Sequence, residues 1–153
     1  MDMKIKKITE EDDIPYDLLL LADPSKDLVN EYVNRGSCYI AVKDQEEIGV
    51  FVLLPTRPDT VEIVNIAVAP SYQGMGIGKS LVLHAIEKAR DLNVKTVELG
   101  SGNSSMNQLA LYQKCGFRIT GVDKDFFIRH YNEEIFENGI QCIDMVRLSM
   151  DLS

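Results

Sequence analysis

The run Val61-Glu62-Ile63-Val64-Asn65-Ile66-Ala67-Val68, then Ala69-Pro70, then Ser71-Tyr72-Gln73-Gly74-Met75-Gly76-Ile77-Gly78-Lys79-Ser80, is where the fold is read. β-Branched residues dominate the run and Pro70 stops it, which predicts a buried strand. Gly74, Gly76 and Gly78 stand at alternate positions, so the backbone can curl and turn successive N–H groups toward one point. From Ile77 the apolar residues Leu81, Val82, Ala85, Ile86 and Ala89 recur three or four apart, predicting a helix to about Asp91. The nest thus sits at a helix N-terminus, where unpaired N–H groups and the macrodipole favour phosphate.

Composition bounds the partners. The chain has 153 residues, 45% hydrophobic and 26% charged, the makeup of one globular domain spanning residues 1–153. A net charge of -8 argues against nucleic acid, whose binding relies on Lys and Arg, and mildly favours cationic substrates. Met1-Asp2-Met3-Lys4-Ile5-Lys6-Lys7 alternates charge with apolar residues, so no signal peptide or membrane span is expected and the protein reads as cytoplasmic. Three dispersed cysteines, Cys38, Cys115 and Cys142, read as buried thiols in a reducing compartment. With two histidines far apart, His84 and His130, no metal is predicted.

Outward from the central stretch, Met3 to Ile8 alternates as a strand, and helices are predicted from about Pro15 to Ala22 and from Ser25 or Asp27 to Gly36. Cys38–Val42 and Ile48–Leu54 form a hairpin across the polar Lys43–Glu47, and Pro55–Asp59 reads as a loop. Val94–Leu99 is a strand; strand, helix, strand implies a right-handed crossover and a parallel pair within an otherwise antiparallel sheet. Gly100–Ser105 reads as a flexible loop before a helix through Met106, Leu109 and Gln113 that ends at Gly116. Phe117–Val122 and Gln141–Met150 are the last strands; Asp123–Gly139 between them is irregular, aromatic and acidic. The architecture expected is mixed α/β: a twisted sheet of about seven strands with helices on both faces.

Two familiar phosphate loops fail on spacing. Gly78-Lys79-Ser80 fits the end of a Walker A loop, but the position five before Gly78 is Gln73. The dinucleotide fingerprint needs a third glycine where Lys79 stands. Gln/Arg-x-x-Gly-x-Gly/Ala does fit, through Gln73, Gly76 and Gly78. This loop resembles the coenzyme A loop of the GCN5-related N-acetyltransferases (GNAT superfamily). Leu111-Tyr112-Gln113-Lys114-Cys115-Gly116-Phe117 and Glu62-Ile63-Val64 resemble two further segments of that family, so the likeness runs from Val61 to Phe117.

The resemblance implies transfer of acetyl from acetyl-CoA directly to a primary amine of a small molecule or peptide, without metal. It places the diphosphate on Gln73, Gly74, Met75, Gly76, Ile77 and Gly78, supplemented by Lys79 and Ser80. It pairs pantetheine with Ile66, Ala67 and Val68, with the Val68 N–H facing the oxyanion, and lays the first two helices over the acceptor site. It makes Tyr112 the acid for the CoA thiolate; without the family, Tyr112 is an amphipathic-helix aromatic. Many relatives carry Asn seven residues before this Tyr; here Ser105 stands there with Asn103 and Asn107 nearby, and the pantetheine contact lies among these three. A family tendency is all that bears on a homodimer.

An alkylammonium of pKa ~10.4 must lose a proton before it can attack a thioester. Glu62 is the candidate base: alternation would put Glu62, Val64, Ile66 and Val68 on one face, where apolar neighbours raise its pKa. The alternative is a Glu paired with a base such as Arg57; His130 is a weaker candidate, and His84 lies off the apolar stripe. Asp123, Asp125, Phe126, Phe127 and Tyr131 form either an acceptor pocket or core and solvated loop. A non-catalytic acetyl-CoA sensor and a nucleotide-binding protein using Gly78-Lys79-Ser80 remain as other classes.

Overall fold

The computed structural model describes residues 3–152. Strand β1 is Lys4–Lys7, followed by helices α1 (Tyr16–Ala22) and α2 (Lys26–Arg35). Ser25 caps α2 by accepting from the Leu28 N–H, and Gly36 closes it. Strands β2 (Ser37–Lys43) and β3 (Glu46–Arg57) join through Asp44-Gln45, both at positive φ, the backbone of a two-residue turn that matches strand twist. Then come β4 (Thr60–Val68), a single 3-10 turn (Pro70–Tyr72), α3 (Ile77–Asp91), β5 (Thr96–Gly102), α4 (Met106–Lys114) and β6 (Arg118–Asp123). A short α5 (Phe126–His130) and the hairpin β7 (Phe136–Glu137) and β8 (Ile140–Gln141) precede the last strand, β9 (Met145–Asp151).

Seven strands form the main sheet in the order β1-β2-β3-β4-β5-β9-β6; β7 and β8 pair separately. Among the described residues only β4 and β5 run parallel, as the strand–helix–strand pattern requires. One face packs under α3 and α4 through Phe51, Leu53, Leu81, Ile86, Leu99, Tyr112 and Leu148. The other packs under α1 and α2 through Leu19, Val29, Val50, Val52 and Leu54. β3 supplies both layers by alternation, and such a doubly buried strand reads as the apolar run seen in sequence.

Several boundaries differ from the sequence reading. The loop expected at Pro55–Asp59 is strand as far as Arg57, because Pro55 pairs with Val61 beside a register shift that tolerates its missing N–H. Gly100-Ser101-Gly102 is strand and not flexible loop, since it pairs with Arg147, Val146 and Met145 of β9. A Cβ on Gly100 would lie 2.4 Å from the Met145 sulfur, and one on Gly102 2.4 Å from that of Cys142, so glycine here serves close approach. The expected strand Gln141–Met150 is broken at Cys142–Asp144, and the segment read as irregular contains α5. Cys38 and Cys142 are buried, but Cys115 is half-exposed.

One irregularity matters most. Leu53 pairs with Ile63 while Val52 pairs with Asn65, leaving Val64 as an extra residue, a β-bulge. A bulge reverses the alternation beyond it. Ile66 and Val68 therefore pack on the α3/α4 side, whereas Val64 and Ala67 pack on the α1/α2 side. The single face expected for Glu62, Val64, Ile66 and Val68 does not exist.

Candidate active site

The parallel pairing of β4 and β5 runs from Thr60 opposite Thr96 to Ile63 opposite Leu99 and stops. Beyond it β4 follows β3 as far as Val68, and β5 follows β9 as far as Gly102, so the two strands part. The Ala69 N–H donates to the Ile48 carbonyl on the β3 side. Since N–H groups alternate sides along a strand, those of Ile66 and Val68 point into the gap. Two donors without a β5 partner thus line the gap, the pattern that an extended chain adding as a strand would pair with.

At the end of β4 two of the three loop glycines, Gly74 and Gly76, curl the backbone, while Gly78 already belongs to α3. Gly74 and Gly76 lie at φ 81° and 80°, and a Cβ at either would meet nothing within 4 Å. Their glycines answer to backbone conformation, leaving open space over the loop. Gly76 is the N-cap of α3, contributes no side-chain cap, and no acid lies in the first turn. The first-turn N–H groups of Ile77, Gly78 and Lys79 are therefore left for an anion. Gly78 faces Leu111 of α4, where a Cβ would lie at 3.7 Å. Gln73 folds back to donate to the Val68 carbonyl at 3.1 Å. Met75 and Lys79 are exposed and Ser80 is half-buried, all on the same loop and first turn.

Tyr112 lies on the α3/α4 side in one apolar cluster with Ile63 and Leu99, the residues at which the parallel pairing ends. Its ring packs edge-on against Phe117 at 6.4 Å. Burial pushes its hydroxyl up to about 12, so it holds its proton at any ordinary pH. Glu62 is on the opposite side of the sheet. Its carboxyl is raised chiefly by burial, against the pull of Arg147, and further by Glu98 and Asp123. The ion pair weighed for Glu62 with Arg57 does not form: Arg57 bonds Glu98 at 2.6 Å, as does Thr56 at 2.8 Å. The partner is Arg147, at 3.4 Å.

Of the three candidates for a pantetheine contact, two are already engaged. Asn103 accepts from the Ile143 and Asp144 N–H groups and donates to the Gln141 carbonyl, pinning the start of β9. Ser105 donates to Glu137 at 2.7 Å. Asn107 is exposed on the first turn of α4. The aromatic and acidic segment is also divided among tasks. Phe126 lies under the Arg147 guanidinium, Phe127 stacks on Tyr131, and Tyr131 donates to Asp23 at 2.9 Å. Asp123 pairs with Arg147, Asp125 starts α5, and His130 stacks near Phe126, away from the glycine loop. His84 is half-buried on α3.

Sequence reasoning missed Arg147 and the network below the site. Asn65, 3% exposed, donates to Tyr32 and to the Leu19 carbonyl; Tyr32 donates to Asp23. An Asn inside an apolar strand and a lone Arg within Met145-Val146-Arg147-Leu148 were the available signals, since a buried polar group needs partners. Among the described residues no His, Cys, Asp and Glu group could hold a metal, and no helix is long and apolar enough to cross a membrane.

Residues 5–117 match the family described as "Acetyltransferase (GNAT) family". The chain is 64% identical over 150 residues to an uncharacterized N-acetyltransferase, YvbK, of Bacillus subtilis, covering 98% of this chain and 97% of that one. A crystal structure of a Bacillus subtilis acetyltransferase in complex with CoA superposes with a TM-score of 0.94 at 63% identity, covering 99% of this chain and 100% of that chain. A family acetyltransferase from Elizabethkingia anophelis with acetyl-CoA bound superposes with a TM-score of 0.96 at 50% identity, over 98% of each chain.

Proposed function

Because the chain belongs to the GNAT acetyltransferase family and moves acetyl from acetyl-CoA to an amine, we propose that Glu62 takes the acceptor's proton and that Tyr112 protonates the departing sulfur. The observation that carries this reading is the parting of β4 from β5, with free N–H groups in the gap, a helix N-terminus at its end, Tyr112 on one side of the sheet and Glu62 on the other. The loop from Gln73 to Gly78 and the first turn of α3, with Lys79 and Ser80, hold the diphosphate. Pantetheine adds along Ile66–Val68, with Asn107 as its side-chain contact.

Chemistry then follows from the two sides. An alkylammonium approaching on the α1/α2 side gives a proton to Glu62, whose raised pKa narrows the gap to ~10.4. The freed amine attacks the thioester carbon, and the Val68 N–H bonds the oxyanion. As the intermediate collapses the C–S bond breaks, the sulfur takes the Tyr112 proton, and the nitrogen's remaining surplus proton restores the tyrosine. Acetyl-CoA and an ammonium yield an N-acetyl amine, free CoA and one proton.

The acidic surroundings of Glu62, with Glu98 and Asp123, favour a cationic primary amine, whether a small molecule or a basic peptide end. Free thiols at three cysteines fit the cytoplasm. A thiol-release screen across polyamines, amino acids, aminoglycosides and peptide N-termini tests the reading. At least one amine should release CoA, with the rate collapsing in Glu62→Gln. Acetyl-CoA binding with no release for any amine would leave a sensor and not an enzyme.

A further inference from the structure

The Arg147 side chain reaches across the sheet from β9 and contacts two carboxylates from different strands. Its Nη1 donates to Glu62 Oε2 at 3.4 Å. Its Nε and Nη2 both contact Asp123 Oδ2, at 2.7 and 2.6 Å. The guanidinium carbon stands 5.7 Å from the Phe126 ring centroid, and a Cβ on Gly100 would lie 3.2 Å from Nη1. Arginine is thereby held in place by an aromatic face, by Asp123 and by the bare backbone of Gly100. Its side chain is 30% exposed and that of Glu62 18%, so solvent screens the contact only in part.

The two contacts are unequal. The short pair belongs to Asp123, and the longer one belongs to the proposed base. Charge shared with Asp123 is charge withheld from Glu62. From this geometry we infer that Arg147 is a positioning residue for acetyl transfer, which anchors Glu62 through Oε2, presents Oε1 to the acceptor, and is kept from over-stabilising the carboxylate by Asp123. The inference rests on the reading of Glu62 as base and assigns to Arg147 and Asp123 opposite effects on it.

Every charged neighbour of Glu62 fits this division. Glu98 on β5 stands opposite Glu62 in register but is itself bound by Arg57 and Thr56 of β3, which offset its repulsion. Asp123 on β6 and Arg147 on β9 complete the set. A fully committed Arg147 would hold Glu62 as a low-pKa carboxylate that accepts protons poorly. Without any Arg147, three carboxylates would face one another and the Glu62 carboxyl would be raised further.

The test is the acid limb of kcat/KM against pH, measured by thiol release with whichever amine the screen identifies. Arg147→Gln should move the midpoint of that limb up by ~1 pH unit, as loss of a nearby opposite charge does. Asp123→Asn should move it down, and Arg147→Lys should return it toward the wild-type value. A residue serving stability alone would lower the rate without moving the midpoint in opposite directions. Acetyl-CoA affinity by calorimetry should be unchanged in all three variants, because the glycine loop lies beyond the far end of β4; that also shows they are folded. Glu62→Gln should abolish the limb. If the limb survives Glu62→Gln, the base is another group and the inference falls with it. If Glu62→Gln abolishes the limb but the Arg147 and Asp123 variants leave its midpoint in place, the base stands and Arg147 has no such role.

Discussion

The Gln73 side-chain amide donates to the Val68 carbonyl, 3.1 Å away. This bond fastens the loop proposed for the diphosphate to the end of β4, where the Val68 N–H is proposed to bond the oxyanion. Replacing Gln73 by Ala is expected to cost about 1 kcal/mol in acetyl-CoA binding, roughly fivefold in affinity, because the loop loses its register to β4. Calorimetric titration checks this; equal affinity would show the bond to be idle.

Gly76 and Gly78 make separable predictions. An alanine at Gly76 meets no atom within 4 Å but must hold φ near 80°, so the melting temperature should fall by the equivalent of ~1–2 kcal/mol. At Gly78 the backbone is helical and the added methyl makes ordinary contact with Leu111, so stability should hold. Gly76→Asp adds a like charge to the diphosphate and should weaken acetyl-CoA roughly tenfold beyond Gly76→Ala. Affinity unaffected by the aspartate would remove the loop from the diphosphate site.

Tyr112→Phe should lower kcat by about a hundredfold while leaving acetyl-CoA affinity unchanged, since the proton is needed only as the sulfur departs. Burial holds the hydroxyl up near about 12, so Tyr112 should impose no basic limb on the wild-type profile below that pH. A rate equal to wild type at every pH would exclude Tyr112 from proton transfer.

Asp23 gathers a buried network on its carboxylate, taking hydrogen bonds from Tyr32, Tyr131 and the Ser25 N–H. Tyr32 and Tyr131 are both raised, first by burial and then by the negative Asp23. The unfolded tyrosines lose protons at ~10 while the folded ones retain them, so the folded state binds more protons there. The stability they contribute is complete below pH ~10 and is lost as pH rises beyond it. Asp23→Ala should cost ~1–3 kcal/mol at pH 7 by stranding its donors, and should make the alkaline decline shallower. Urea unfolding at pH 7 and pH 10.5 measures both effects.

Much of this was legible in the primary structure because its causes are local. The glycine loop, the cap of α2, the start of α3 and the strand–helix–strand crossover depend on residues a few positions apart, whose φ preferences and apolar spacing act wherever the chain goes. The loop from Gln73 to Ser80 and the helix carrying Tyr112 fall into this class. Local reading failed where pairing partners override propensity. Gly100–Gly102 looks like a loop until β9 lies beside it, and Val64 looks like an ordinary strand residue until β3 is one position short.

The amino-acid sequence by itself determined the family and the donor, and it also marked the loop proposed for the diphosphate, since a nest at a helix N-terminus is built from contiguous backbone. Only the tertiary structure decided which side of the sheet Glu62 faces and what stands next to it. The bulge at Val64 sets the first, and the insertion of β9 between β5 and β6 sets the second by carrying Arg147 to Glu62 across 85 positions of chain. Contacts at that separation arise from strand order and register, which no local pattern encodes.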